Sequence, residues 1–118
     1  MSDSDQQKPN LSKHFSFDKV LQHMRLHHPG CPKKTSLAIA ARVSSREWKG
    51  LKLGAAVGIE LQKHVRHSYT DYDELLRLKI MTRDEARAFI APQVQDILRS
   101  WQQPALTLRL VEPRGNDN

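Results

Sequence analysis

Apolar positions recur at helical spacing along most of the chain. Phe17, Val20, Leu21 and Met24 fall on one side of a first segment, with His28 on the same side. Ser16 stands before it as an N-cap, and Pro29, Gly30 and Pro32 end it, so the run from His27 to Lys34 reads as a turn. Thr35 or Ser36 is expected to cap a second helix through Leu37, Ile39, Ala40, Ala41 and Val43. Ser44 and Ser45 interrupt it, with Ser45 placed to cap a short turn reaching Trp48. Lys49 to Leu53 then reads as a loop around Gly50. A third helix is predicted from about Leu53 to His67, with Leu53, Val57, Leu61 and Val65 spaced four apart as its buried stripe. Gly54 and Gly58 lie beside that stripe. Each costs helix propensity, and the expected compensation is close packing of a neighbouring helix.

The pattern continues through two further helix starts. Thr70 followed by Asp71, Tyr72 and Asp73 is an N-cap with an acidic first turn, and Leu75 and Leu76 supply the buried side of a short helix. Thr82 and Glu85 make a capping box. Ile90, Val94, Ile97, Leu98 and Trp101 recur after it at helical spacing, and Pro92 is expected to kink or split that helix near Ala91. Beyond Trp101 the period changes. Leu106, Leu108 and Leu110 alternate with Thr107, Arg109 and Val111, which is the pattern of a strand or extended arm. Residues 1 to about 12 and 112 to 118 lack apolar content and are expected to be disordered.

The fold expected is therefore all-α: one small domain of four to five short helices over residues 13–104, followed by the extended segment and tail of residues 105–118. Its core is expected to contain Phe17, Leu21, Met24, Leu37, Val57, Leu61, Val65, Leu75, Leu76, Ile90, Val94, Ile97 and Trp101. A chain of 118 residues supports one core of modest size.

One run carries a resemblance. Arg66, His67, Thr70, Tyr72, Asp73, Leu75 and Leu76, then Arg83, Ala86 and Arg87, then a helix ending in Trp101, resemble the domain-of-unknown-function family numbered 2293. The resemblance is good over residues 57–101 and looser over 15–56. The family tends to carry a glycine in the turn after the paired leucines, where this chain has Leu78-Lys79-Ile80-Met81. Its Gly- and Arg-rich upstream segment is represented here by Lys49 to Gly54. The resemblance implies a fold. It brings no established activity.

Charge changes the picture next. The chain has 19 Lys and Arg against 13 Asp and Glu, for a net charge of +6. Between residues 33 and 67 lie Lys33, Lys34, Arg42, Arg46, Lys49, Lys52, Lys63 and Arg66, opposed only by Glu47 and Glu60. That segment alone is +6 (eight minus two), so the remainder of the chain is neutral. Concentrated Lys and Arg neutralise phosphates and release counterions. The function expected is thus non-catalytic nucleic-acid binding through these eight residues, with Gly50 and Gly54 exposing backbone N–H groups to phosphate. The alternative is a protein–protein interaction module. Trp48 between Arg46 and Lys49 is either a platform for an unpaired base or a core residue, and the core is favoured because Trp is mostly buried. A helix-turn-helix over Thr35 to Val57 is a weaker reading, since Gly50 and Gly54 interrupt its second element.

Other chemistry is less supported. His27, His28 and Cys31 cluster in a turn, and His64 and His67 are three apart, but the spacing matches no known zinc set, so no metal and no cofactor is expected. His67, Tyr72, Asp71 and Asp73 offer acid–base groups, yet each has a local structural use. His67, Thr70, Tyr72 and Asp73 read as fixing a corner between two helices, and Arg83 and Arg87 as forming surface pairs. No nucleophile, phosphate-loop or dinucleotide motif is present, and the expectation leans away from an enzyme. A single cysteine, no apolar leader and no bilayer-length apolar run lead to the expectation of a cytoplasmic protein with no membrane partner.

Overall fold

The structure is a computed structural model and describes residues 12–103. Among these residues, five helices surround one core: α1 (Phe17–His27), α2 (Lys33–Ser44), α3 (Leu53–Tyr69), α4 (Tyr72–Arg77) and α5 (Arg83–Trp101). The fold is all-α apart from two short strands, β1 (Ser12–Lys13) and β2 (Trp48–Lys49), which pair antiparallel with Ser12 opposite Lys49 and Lys13 opposite Trp48. Helix α1 packs on α2, α2 on α3, and α3 on α5, while α4 sits against both α3 and α5. The expected extended segment at 105–111, the expected tail at 112–118 and residues 1–11 of the expected N-terminal tail lie outside the described residues, while Ser12, at the edge of that tail, is in β1.

Local signals set most boundaries. The Ser16 side chain accepts from the Lys19 N–H at 3.1 Å and starts α1. Thr82 and Glu85 form the reciprocal box that starts α5, at 3.2 and 2.9 Å. Helix α4 begins at Tyr72, whose N–H donates to the Thr70 hydroxyl at 3.1 Å, so the cap acts from one position earlier than the Asp71 boundary. Two expectations are corrected here. Helix α2 starts at Lys33 with Pro32 at the cap position, so neither Thr35 nor Ser36 is its cap. Helix α5 runs unbroken through Pro92, so the expected split does not occur. The missing N–H frees the carbonyl of Ala88, and both Ala88 and Pro92 are exposed, so that carbonyl is open to solvent.

The core is built mainly from Val20, Met24, Ile39, Val43, Val57, Leu61 and Val65, all fully buried, with Ile90, Val94 and Trp101 closing it from α5. Each such side chain contributes about 1.5–3 kcal/mol by leaving water. The exposed ion pairs Arg77–Glu74 and Arg99–Asp96 contribute roughly 0–1 kcal/mol each, so burial decides the fold. Leu21, Leu75, Leu76 and Ile97 pack at the edge of this core. Phe17 and Leu37, expected inside, are 39% and 41% exposed. On α2 the buried positions are Thr35, Ile39, Ala40 and Val43, so the inward face is rotated away from Leu37.

Glycines locate the closest backbone approach. A Cβ at Gly58 would meet nothing within 4 Å, and one at Gly54 would only touch the His23 ring at 3.6 Å. The expected tight packing at these two positions is therefore absent. It occurs instead at Gly30, where a Cβ would sit 2.4 Å from the Gln103 carbonyl oxygen. The Gly30 N–H donates to the Trp101 carbonyl at 2.8 Å, so the α1–α2 turn caps the end of α5.

The α4–α5 turn shows the opposite case. Ile80 N–H bonds Leu75 carbonyl and Lys79 N–H bonds Leu76 carbonyl, both at 3.0 Å, and Lys79 has φ +58°. This is the Schellman ending of a helix, which favours glycine at the left-handed position. A lysine stands there instead.

Two stability outcomes follow. Gly30→Ala should lower unfolding free energy by about 1–3 kcal/mol, because the added carbon meets backbone rather than a flexible side chain. Lys79→Gly should raise it by about 1 kcal/mol. Urea midpoints of the two variants against the parent chain check both. An unchanged midpoint for Gly30→Ala would mean that the turn can retreat from α5.

Candidate nucleic-acid interface

The eight basic residues all lie on α2, α3 and the loop between them, and the two helices run antiparallel. Lys34 and Ala38 on α2 face His64, Ser68 and Tyr69 on α3 across a shallow groove of about 340 Å³. Arg42 is one turn further along α2 from Ala38 and close enough to His64 to disfavour its protonation. Arg46, Lys49 and Lys52 follow at the far end of the pair, all exposed. Lys34, Arg42 and Arg46 therefore run along one seam, with Lys63 beside it.

The structure does not leave all eight free. Glu60 is 3% exposed and receives Arg46 Nη1 at 3.3 Å and Lys63 Nζ at 3.9 Å. One carboxylate under the seam thus draws on two of its cations. Lys33 lies on the other side of α2, along a groove shared with α1. Arg66 points away into a groove between α3 and α5. Lys34, Arg42, Lys49 and Lys52 are in no ion pair among the described residues.

Both helix N-termini in this pair lack the usual compensation. Neither Pro32 nor Lys52 offers a side-chain cap, and neither first turn holds an acidic residue. Helix α2 even places Lys33 and Lys34 in its first turn. Cations at the positive end of a helix cost roughly 0.3–1 kcal/mol each. In α5, by contrast, Asp84 and Glu85 occupy the first turn.

Trp48 is a core residue. It is 2% exposed, and its indole N–H donates to the Val43 carbonyl at 2.9 Å. The Arg46 guanidinium covers its ring at 3.9 Å, so the reading of Trp48 as a base platform falls. The helix-turn-helix reading falls as well. The stretch from Ser45 to Lys52 is loop and strand, and no second helix begins before Leu53.

The corner after α3 is tied by its own side chains. The Thr70 hydroxyl donates to the Arg66 carbonyl and accepts from Tyr72 N–H. His67 Nδ1 lies 2.7 Å from Asp73 Oδ1, and its ring meets Tyr72 edge-on at 5.3 Å. Tyr72 is buried, with the Arg66 guanidinium 5.2 Å from its ring centroid. His67 and Asp73 are exposed, at 42% and 61% of their side chains. The expected surface pairs of Arg83 and Arg87 do not form among the described residues.

A family profile described as "Uncharacterized conserved protein (DUF2293)" matches residues 23–102. The chain belongs to this family. No curated protein and no solved structure matches it. The region matched to DUF2293 runs from within α1 to the end of α5, so it takes in both the basic helix pair and the Thr70 corner. Tyr69, which pattern reading passed over, joins three elements within it. Its hydroxyl is 3.2 Å from Thr35 Oγ1, and its ring meets Trp101 edge-on at 5.4 Å. Glu60 was equally hidden, because a lone Glu on a helix ordinarily faces solvent.

Among the described residues of this DUF2293 domain, no three His, Cys, Asp or Glu side chains converge on a point that would hold a metal ion. His23, His27 and His28 do gather at the end of α1, with centroids 4.4 Å apart for the first two and 6.1 Å for His23 and His28. Burial, then the neighbouring imidazoles, holds His23 and His28 below the ordinary value of 6.5. Burial, then Arg42, does the same for His64. Among the described residues no helix is long and apolar enough to cross a membrane.

All three lowered histidines act on stability with the same sign. They are neutral in the fold, while the unfolded chain takes up protons near pH 6.5. Their contribution is complete above that pH and is lost as the pH falls through the lowered folded values. Urea unfolding should show a plateau above pH 7 and a decline below about 6.5, and His23→Gln with His28→Gln should flatten the decline. An equally steep decline in the double variant would assign it to other groups.

Proposed function

We propose that this domain binds nucleic acid without catalysis, along the seam of α2 and α3. One observation carries the reading: the segment holding the whole net charge of the chain folds into a single antiparallel helix pair with its connecting loop. Lys34, Arg42, Lys49 and Lys52 are the contacts, because no carboxylate of the described residues pairs with them. Arg46 and Lys63 contribute less, being shared with Glu60. Lys33 and Arg66 stand off the seam. The uncapped start of α3, beside Lys52, offers backbone N–H groups to a phosphate. Recognition of this kind rests on the backbone of the polymer and is strongly salt-dependent. A reducing, cytoplasmic setting suits the free, buried Cys31.

A protein-binding role is the second reading, favoured by apolar side chains left in water: Leu26 at 70%, Phe89 at 64% and Ile80 at 60% exposed. Salt separates the two readings, since an apolar interface is far less sensitive to it than phosphate contacts.

The deciding experiment is fluorescence anisotropy with labelled single- and double-stranded DNA and RNA at several salt concentrations. Lys49→Glu with Lys52→Glu should weaken binding and reduce the salt slope by roughly two, with the helical circular dichroism unchanged. Affinity equal to that of the parent chain would remove the loop from the interface, and absence of binding at low salt would sink the reading.

A further inference from the structure

The groove on the α2–α3 seam holds more than charge. Its walls are Lys34, Thr35 and Ala38 on α2 and His64, Ser68 and Tyr69 on α3, and its volume is about 340 Å³. Sites for small organic molecules run from roughly 300 to 1,000 Å³, so there is room for one flat ring system. Ala38 and Ser68 are short side chains, which leaves the space between the helices unfilled.

Two rings border that space. The His64 and Tyr69 centroids are 6.0 Å apart, with their planes tilted by 56°. Tyr69 is held in place, because its hydroxyl is 3.2 Å from Thr35 Oγ1 and its ring meets Trp101 edge-on. It is nonetheless 39% exposed, and it lines the groove. His64 is half-buried. Burial, then Arg42, holds it below the ordinary value of 6.5, so at neutral pH its ring is uncharged and offers one donor and one acceptor. Cations stand to either side. Lys34 lines the groove, and Arg42 lies about 12 Å further along α2, with Ala38 midway between them. Neither cation is in an ion pair among the described residues. A polyanion that neutralises both therefore passes over the groove.

We propose that this groove takes an unpaired base, so that the ligand of the seam is single-stranded nucleic acid. The inference rests on the nucleic-acid reading of the seam and adds the kind of strand. In a duplex the bases are paired and stacked inside, and only their edges reach the grooves, so none can enter a recess. A single strand can turn a base onto a side-chain ring while its phosphates stay on Lys and Arg, the combination found where unpaired strands are bound. Stacking uses the face that every base has, so discrimination among the four bases is small. Trp48, buried under Arg46, is not that platform; Tyr69 with His64 takes its place.

The test uses the full chain and fluorescence anisotropy with three labelled ligands: a single-stranded oligonucleotide, an abasic strand with the same number of phosphates, and the duplex. The intact single strand should bind about tenfold more tightly than the abasic strand, the loss expected for one stacked base. It should also bind more tightly than the duplex. Ala38→Leu fills the groove without changing any charge and should remove most of the difference between the intact and abasic strands. Ser68→Leu fills it from the other helix and replaces Ala38→Leu if circular dichroism shows that variant unfolded. Tyr69→Phe keeps the ring and should retain the difference, whereas His64→Ala should reduce it. Equal affinity for the intact and abasic strands, both falling steeply with salt, would leave the seam a phosphate-binding surface and overturn the base site. Tighter binding of the duplex, or an undiminished difference in a folded groove-filling variant, would overturn it too. No binding of any ligand at low salt would overturn both the base site and the nucleic-acid reading beneath it.

Discussion

One backbone contact closes this domain. The Gly30 N–H meets the Trp101 carbonyl, and the turn after α1 rests so closely on the end of α5 that no side chain fits between them. Residues 30 and 101 are far apart in the chain, so this bond joins the turn between α1 and α2 to the end of α5. Around it the other parts fall into place. Trp101 is carried onto Tyr69, Tyr69 reaches Thr35, and α2 is thereby tied to both later helices. Helix α5, with Ile90 and Val94 buried, then packs on α3. An all-α fold of this size has little apolar area to spare, and its stability rests on a few such closures together with burial.

Helix content was legible where local chemistry is strong. Ser16 and the Thr82–Glu85 box mark their helices because the caps satisfy backbone groups within the same few residues. The stripe of α3 was legible because Val57, Leu61 and Val65 recur four residues apart. Helix α2 was harder. Its apolar residues occupy too many positions to define a single face, so Leu37 was placed inward and Thr35 at the cap, whereas Thr35 is buried within the helix and meets Tyr69. Pro92 misled for another reason: an exposed helix face lets water take the freed carbonyl, so the helix need not break. The two-residue strand pair leaves no periodic trace at all.

The basic segment shows the same division. Its composition could be read directly, and so could its confinement to residues 33–67. What composition does not carry is direction. Glu60 is buried beneath the seam, Arg46 covers Trp48, and Arg66 turns to the opposite side of α3. Three of the eight cations thus have structural neighbours that only packing reveals. The two glycines suspected of close contact proved open, and the true close approach lay at Gly30, inside a Pro-Gly turn whose sequence signals only a bend.

The placement of the closing bond also bears on how the protein is made. Synthesis delivers α1, α2 and α3 first, and these can pair as they emerge. Yet Val57, Leu61 and Val65 lack their cover until α5 has followed, and Gly30 has no acceptor until Trp101 has been added. A nascent chain that stalls before residue 101 therefore presents an uncovered apolar stripe beside a strongly cationic surface. Completion of the fold is deferred to the last helix, and the interval before it is when the chain most needs protection from its neighbours.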